Sequence, residues 1–114
     1  MPSVTLELPL PPSANTYWKH SRNGVYVSPQ AMEFRDKVAI ATIGYDMLSG
    51  ELRVTAHCYI CDTRRDLDNG IKQLLDALQG RIFEDDNAVV EIHMYRHKAA
   101  TRKVSKVIVT IEEL

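Results

Sequence analysis

Residues 52–60, Leu-Arg-Val-Thr-Ala-His-Cys-Tyr-Ile, alternate apolar and polar side chains without a break. Successive side chains of a strand point to opposite faces, so this is the pattern of a strand with one face buried and one open. A strand of that kind requires a sheet around it and a second layer on its apolar face. Val4, Leu6, Leu8 and Leu10 alternate in the same way, as do Ala88, Val90, Ile92 and Met94, and then Val107, Val109 and Ile111. Ser28-Pro29 reads as a helix start, with serine as cap and proline in the first turn. That helix is expected to run to about Ile43 and to stop at Gly44. A second helix is expected to begin within residues 64–72, because Leu67, Ile71, Leu74, Leu75 and Leu78 recur at helical spacing and Gly80 can close its end. Residues 11–29 break regular structure with prolines, serines and the Asn23-Gly24 pair. The expected order is β-α-β-α-β-β, an α+β domain whose small mixed sheet carries its helices on one face.

At 114 residues the chain suits one domain, 1–114, and shows no repeat or linker. A chain of this size buries roughly two thirds of the surface its unfolded form exposes, enough to fold without staples. No stretch reaches the ~20 apolar residues of a membrane helix. The opening MPSVTLELPLPP lacks the basic start and apolar run of a signal peptide. With two cysteines and no export signal, the expected compartment is a reducing cytoplasm.

The net charge of −1 excludes a protein that simply coats DNA, which would be strongly basic. The distribution says more than the sum. Residues 92–110 hold no acid but include Arg96, Lys98, Arg102, Lys103 and Lys106, while acids concentrate in 62–76 and 84–91. A basic end around an acidic pocket suits an enzyme that holds a polyanion and uses a cation to cut it.

The acidic part centres on residues 64–72, RRDLDNGIK. On a helical wheel Asp68, Lys72 and Asp76 form an i, i+4, i+8 line beside the apolar stripe. Asp66 precedes that line, and residues two apart in extended chain point the same way, so Asp66 and Asp68 can converge on one point. A hard divalent cation takes oxygen ligands of this kind. Taken alone, acids and asparagine at a helix start are more often caps facing the positive end of the dipole. Asp85-Asp86 alone would be a solvated turn before a strand. The short return after the second helix can bring Asp86 toward Asp66 and Asp68.

LPLPPSANTYW, VSPQAMEFRDKVA, RRDLDNGIKQLLDAL and FEDDNAVV, in that order along nearly the whole chain, resemble the RusA family of Holliday-junction resolvases. The most specific element is Asp-x-Asp-Asn-x-x-Lys-x-x-x-Asp-Ala-Leu, followed about ten residues later by Asp-Asp. The resemblance implies a homodimeric, Mg²⁺-dependent endodeoxyribonuclease of bacterial or prophage origin, acting on four-way DNA junctions, with Mn²⁺ able to substitute. It implies a metal site of Asp66, Asp68 and Asp86, and Lys72 as the motif lysine. Asn69, Asp76 and Asp85 match positions of supporting character. The chemistry agrees, since carboxylates suit Mg²⁺ where imidazole and thiolate would suit zinc. Lys72 is expected at the scissile phosphate, as a point charge on a flexible stem; its alternative is a surface pair with Asp68 or Asp76. A twofold dimer would present two identical sites to the two symmetry-related strands of a junction.

Other features are weighed against that reading. Asn15, Tyr17, Trp18, Lys19, His20 and Arg22 mix rings and cations in one loop, either an arm for DNA or a loop pinned by its aromatics. Arg64 and Arg65 hold phosphates or balance the neighbouring acids. Lys98, Arg102 and Lys103 are expected as contacts to the DNA backbone. Cys58 and Cys61 point to opposite faces of a strand and have no second pair, which argues against zinc. His57, His93 and His97 can share one sheet face; exposed sheet histidines are the commoner reading. Two other functions fit parts of the chain: a junction-binding protein without catalysis, and a metal-dependent nuclease acting on other branched DNA or RNA.

Overall fold

The computed structural model describes residues 2–62 and 64–114, with the side chains of all of these except Ala14 and Asn15. The elements are β1 (Ser3–Leu8), α1 (Ala14–Tyr17), β2 (Trp18–Ser21), β3 (Gly24–Val27), α2 (Pro29–Ala41), β4 (Leu52–Ile60), α3 (Ile71–Leu78), β5 (Val89–Lys98) and β6 (Lys106–Glu113). The main elements keep the expected order. A one-turn helix and a separate two-stranded hairpin are inserted in the segment read as irregular.

The main sheet has the order β1-β6-β4-β5. β4 is antiparallel to β6 and parallel to β5, so the sheet is mixed. Alternation within each strand becomes rows across the sheet. Val4, Ile111 and Val54 form one row, Leu6, Val109 and Ala56 the next, and Leu8, Val107 and Cys58 a third. All nine side chains are buried. α2 brings Phe34 and Val38 into the same core, and α3 brings Leu74, Leu75 and Leu78. The return after α3 adds Ile82 and Phe83, both at 0% exposure. Its backbone is held where the Leu48 N–H donates to the Ile82 carbonyl at 2.7 Å.

The helix layer stops short of β5. Ile92 extends the Val54 row but remains 46% exposed, and Val90 is 49% exposed. On the open face, Arg53 lies between Glu91 and Glu112 at 3.3 Å from each. Tyr95, His57, His97 and Tyr59 stack in sequence, with centroids 4.8, 5.1 and 4.7 Å apart. His57 Nδ1 lies 2.8 Å from His97 Nε2, so one ring donates and the other accepts.

α2 starts as its sequence predicts: the Ser28 hydroxyl accepts from the Ala31 N–H at 3.2 Å, and Pro29 fills the first position. α3 starts later than expected. Gly70 adopts φ of 100°, a left-handed conformation, and the helix begins only at Ile71. Residues 67–70 are turns. β5 and β6, consecutive in the chain, are not neighbours in the sheet; β4 lies between them, so the basic segment 99–105 crosses the end of β4.

Candidate functional site

Residues 64–70, between β4 and α3, are held by their own backbone and by two arginines. The Asn69 N–H donates to the Asp66 carbonyl at 3.1 Å, and the Ile71 N–H donates to the Asp68 carbonyl at 3.3 Å. Arg65 Nη2 donates to the Pro11 carbonyl at 2.6 Å and to the Asn69 carbonyl at 2.9 Å. Arg96 of β5 donates to the Arg65 carbonyl. Burial draws the Arg65 guanidinium below its ordinary pKa. Its committed donors make it a brace for the turn, with its reach toward phosphate correspondingly reduced. Arg64 differs: its side chain is 88% exposed, and it donates to Asp62 Oδ1 at 3.3 Å. The Arg64 backbone N–H, then its guanidinium, hold the Asp62 carboxyl below the usual carboxylate range.

This bracing leaves Asp66 and Asp68 exposed. Among the described residues, no ion pair engages Asp66, Asp68 or Asp86. Asp68 lies outside the helix, so the expected line through Asp68, Lys72 and Asp76 is broken by the turn at Gly70. Lys72 Nζ lies 3.6 Å from Asp76 Oδ1 on the exposed face of α3. A surface pair of that kind contributes a few tenths of a kcal/mol, so its geometry does not explain a lysine there.

The Asp85-Asp86 pair divides its work. Asp85 Oδ1 accepts from the Asn87 N–H at 3.0 Å and caps the 3₁₀ turn Asp86–Ala88. The Asp86 N–H donates to Gln79 Oε1 at 3.2 Å, a partner that no spacing rule singled out. The Asp86 carboxylate is half-buried. Parallel register pairs Leu52 with Val89 and Ile60 with Lys98. Asp86 therefore lies off the Leu52 end of the β4–β5 ladder. Arg65, Leu67 and Asn69 line a small cavity with Cys58 and Ile60, toward the opposite end. Seven register positions separate Val89 from Arg96, on the order of 20 Å of strand. Accordingly, among the described residues no group of three His, Cys, Asp or Glu is arranged to hold a metal ion. Asp66 and Asp68 nonetheless offer exposed, uncommitted carboxylate oxygens two residues apart, the donor type a hard divalent cation takes.

The aromatic and basic residues fall in three places. Tyr17 is buried, with its ring edge-on to Trp18 at 5.2 Å, and its carbonyl accepts the Ser28 N–H at 2.8 Å. Tyr17 is thus the pin of the loop. Trp18, Lys19, His20 and Arg22 are exposed on and around the β2–β3 hairpin. The Asn15 side chain lies outside the described residues. Asn23-Gly24 was the signal for the hairpin: Gly24 takes φ of 120° at the turn. Lys98, Arg102 and Lys103 are exposed along the crossing from β5 to β6.

Comparison with known proteins bears on the whole chain. A family model described as Endodeoxyribonuclease RusA matches residues 9–112. The crossover junction endodeoxyribonuclease RusA of Escherichia coli O139:H28 (strain E24377A / ETEC) is 35% identical over 119 residues, covering 100% of this chain and 98% of its own length. Its namesake from Shigella sonnei (strain Ss046) is 32% identical over 122 residues, and that of Enterobacteria phage 82 is 32% identical over 119, each with the same coverage.

Proposed function

The chain belongs to the RusA family of endodeoxyribonucleases, and from that membership we propose that it resolves four-way DNA junctions by paired, symmetric nicks in recombination and repair. Its setting on this reading is the cytoplasm of a bacterium, from a phage or prophage gene; relatives come from bacteria and from a phage. No helix among the described residues is long and apolar enough to cross a membrane.

The observation that carries the reading is the braced turn presenting Asp66 and Asp68. Both carboxylates are exposed and free of cationic partners among the described residues. They are the groups that would hold Mg²⁺, with Mn²⁺ as a substitute of like ligand preference. When bound, the cation supplies charge neutralisation at the phosphate and a more acidic water. Hydrolysis adds a water oxygen to phosphorus, breaks the bond to the leaving oxygen and returns a proton to it. Lys72 is the second residue of α3, just past the turn that carries Asp68; its one ion pair among the described residues is a long contact to Asp76, and it serves as the mobile positive charge at the phosphoryl oxygens. Asp85 is the cap of the turn that holds Asp86.

The third carboxylate gives the dimer a chemical reason. Within one chain, Asp86 and the Asp66–Asp68 turn belong to opposite ends of one parallel ladder. A twofold axis reverses the second copy and can bring its Asp86 to the turn of the first. On this reading each metal site takes Asp66 and Asp68 from one protomer and Asp86 from its partner. Exposed Lys19, Arg22, Arg64, Lys98, Arg102 and Lys103 contact the DNA backbone, and Trp18 offers a ring to an unstacked base.

The test is cleavage of a labelled synthetic junction in Mg²⁺ by wild type and Asp68→Asn. Paired nicks by wild type, lost in the variant while junction binding persists, are expected. Binding without nicks by the wild type, across several junction sequences and in Mn²⁺ too, would return the aspartates to the role of turn residues. Parallel digestion of a flap, a duplex and single-stranded RNA identifies the preferred substrate.

A further inference from the structure

Beside the acidic turn lies a cleft of about 820 Å³ that the metal chemistry leaves unused. It opens between residues 9–13, α2, Asp62, Arg64, Arg65 and Asn69, and Arg102. Its volume falls in the range of sites that enclose a small molecule. Two kinds of surface meet in it. Pro9 and Pro12 give part-exposed apolar faces, backed by the buried Pro11 and Phe34. Lys37, Arg64 and Arg102 stand in its lining against Glu33 and Asp62. The Lys37–Glu33 and Arg64–Asp62 pairs are exposed, and such pairs give way at little cost to a better anion.

The cleft is also built in advance. Arg65 ties the Pro11 carbonyl to the Asn69 carbonyl, and Gly70 lies against the Pro11 ring. The turn that carries Asp66 and Asp68 and the proline wall are therefore tied to each other. Arg65 and Asn69, on either side of the two aspartates, line the cleft, so a strand held at those aspartates would bring an adjoining nucleotide to its mouth. A base stacked inside a duplex cannot enter it. One at a branch point can, because unstacking costs least where pairing is already interrupted.

We infer that the cleft seats one unstacked nucleotide beside the cut, its base against the proline faces and its phosphate at Lys37, Arg64 and Arg102. The inference rests on the junction-cutting reading. It gives the enzyme a way to recognise the branch itself: a strand that cannot release a base is held out of register with Asp66 and Asp68. Contact of a base's flat face with the proline rings is tolerant of base identity, so the cleft reads geometry before sequence.

The experiment places 2-aminopurine, whose fluorescence rises on unstacking, at each nucleotide flanking the cleavage site. Ca²⁺ replaces Mg²⁺ so that the junction is bound and uncut; cleavage in Mg²⁺ is measured in parallel. Gln30→Phe and Thr16→Phe fill the cleft from exposed positions on two walls, with folding checked by Tm. A severalfold rise at one nucleotide with wild type is expected. In both filled variants that rise should vanish and nicking should fall at least tenfold, while junction binding changes by less than threefold. If wild type nicks the junction and no position brightens, the inference is overturned and the resolvase reading stands. The same holds if brightening and nicking survive in both filled variants. Absence of any nicking by wild type removes the junction-cutting reading and the inference with it.

Discussion

A β-carbon on Gly70 would stand 2.8 Å from Pro11 Cγ and 2.9 Å from Arg65 Nη2. The same residue has φ of 100°, which a side chain adopts only under strain. The glycine thus lets the N-terminal proline segment close on the turn that presents Asp66 and Asp68. Gly70→Ala is expected to destabilise the fold by about 2 kcal/mol or more, from backbone strain and the clash together. That corresponds to a fall in Tm of roughly 8 °C, read by thermal unfolding. Cleavage should fall further than stability at a temperature where the variant is still folded, because the turn itself moves.

A site shared between copies makes a prediction about mixtures. Asp68→Asn and Asp86→Asn should each abolish cleavage alone. Refolded together, they form heterodimers in which one site carries both substitutions and the other carries none. Random pairing makes about half the dimers mixed, so the mixture should regain about one quarter of wild-type nicking, as single unpaired nicks. A site built within one chain gives no recovery, and a gel resolving nicked from fully cut junctions separates the two cases.

Among the described residues, the one ion pair of Lys72 is with Asp76, at 3.6 Å on an exposed surface. Removing that pair should change stability by no more than about 0.5 kcal/mol. Lys72→Ala is nevertheless expected to lower kcat about 100-fold or more with junction Kd nearly unchanged, the pattern of a charge used in the transition state. Full activity in Lys72→Ala would leave the lysine as a surface pair and nothing more.

Acid should loosen the open sheet face. A hydrogen bond from His93, then one from Arg53, hold the Glu91 carboxyl below its ordinary value of 4.5. A carboxyl whose pKa is lower in the folded state stabilises the fold above the unfolded value and loses that contribution as pH falls through the folded one. Wild type should therefore exceed Glu91→Gln in Tm at pH 7, with the gap narrowing below pH 4.5 toward pH 3. A constant gap over that range would assign the effect to packing in place of charge.

What could be seen in the sequence followed from local pattern. The alternation from Leu52 to Ile60 became the core rows of β4, and Ser28-Pro29 became a capped helix start. Both are decided within a few residues by strand and helix periodicity. The start of α3 was misplaced because Leu67 continues the helical spacing of Ile71 and Leu74, and periodicity is blind to the left-handed turn at Gly70. Trp18–Ser21 and Gly24–Val27 lack a buried face, so their hairpin had only Asn23-Gly24 to announce it. The insertion of β4 between β5 and β6 depends on contacts far apart in the chain, and with it goes the position of Asp86. Residue types and spacing could nominate the three aspartates. Which ends of the sheet they occupy is a matter of strand direction, which no local pattern encodes.

That direction has a consequence for dosage. β4 and β5 run parallel, so a lone chain holds the parts of its proposed metal site apart and is an inert cutter. While chains are scarce and mostly single, the number of finished sites rises as the square of their abundance. Halving synthesis then lowers cutting about fourfold, and a leaky gene that makes a few molecules per cell leaves branched DNA intact. Strand polarity would thereby set a threshold on expression, with no inhibitor required.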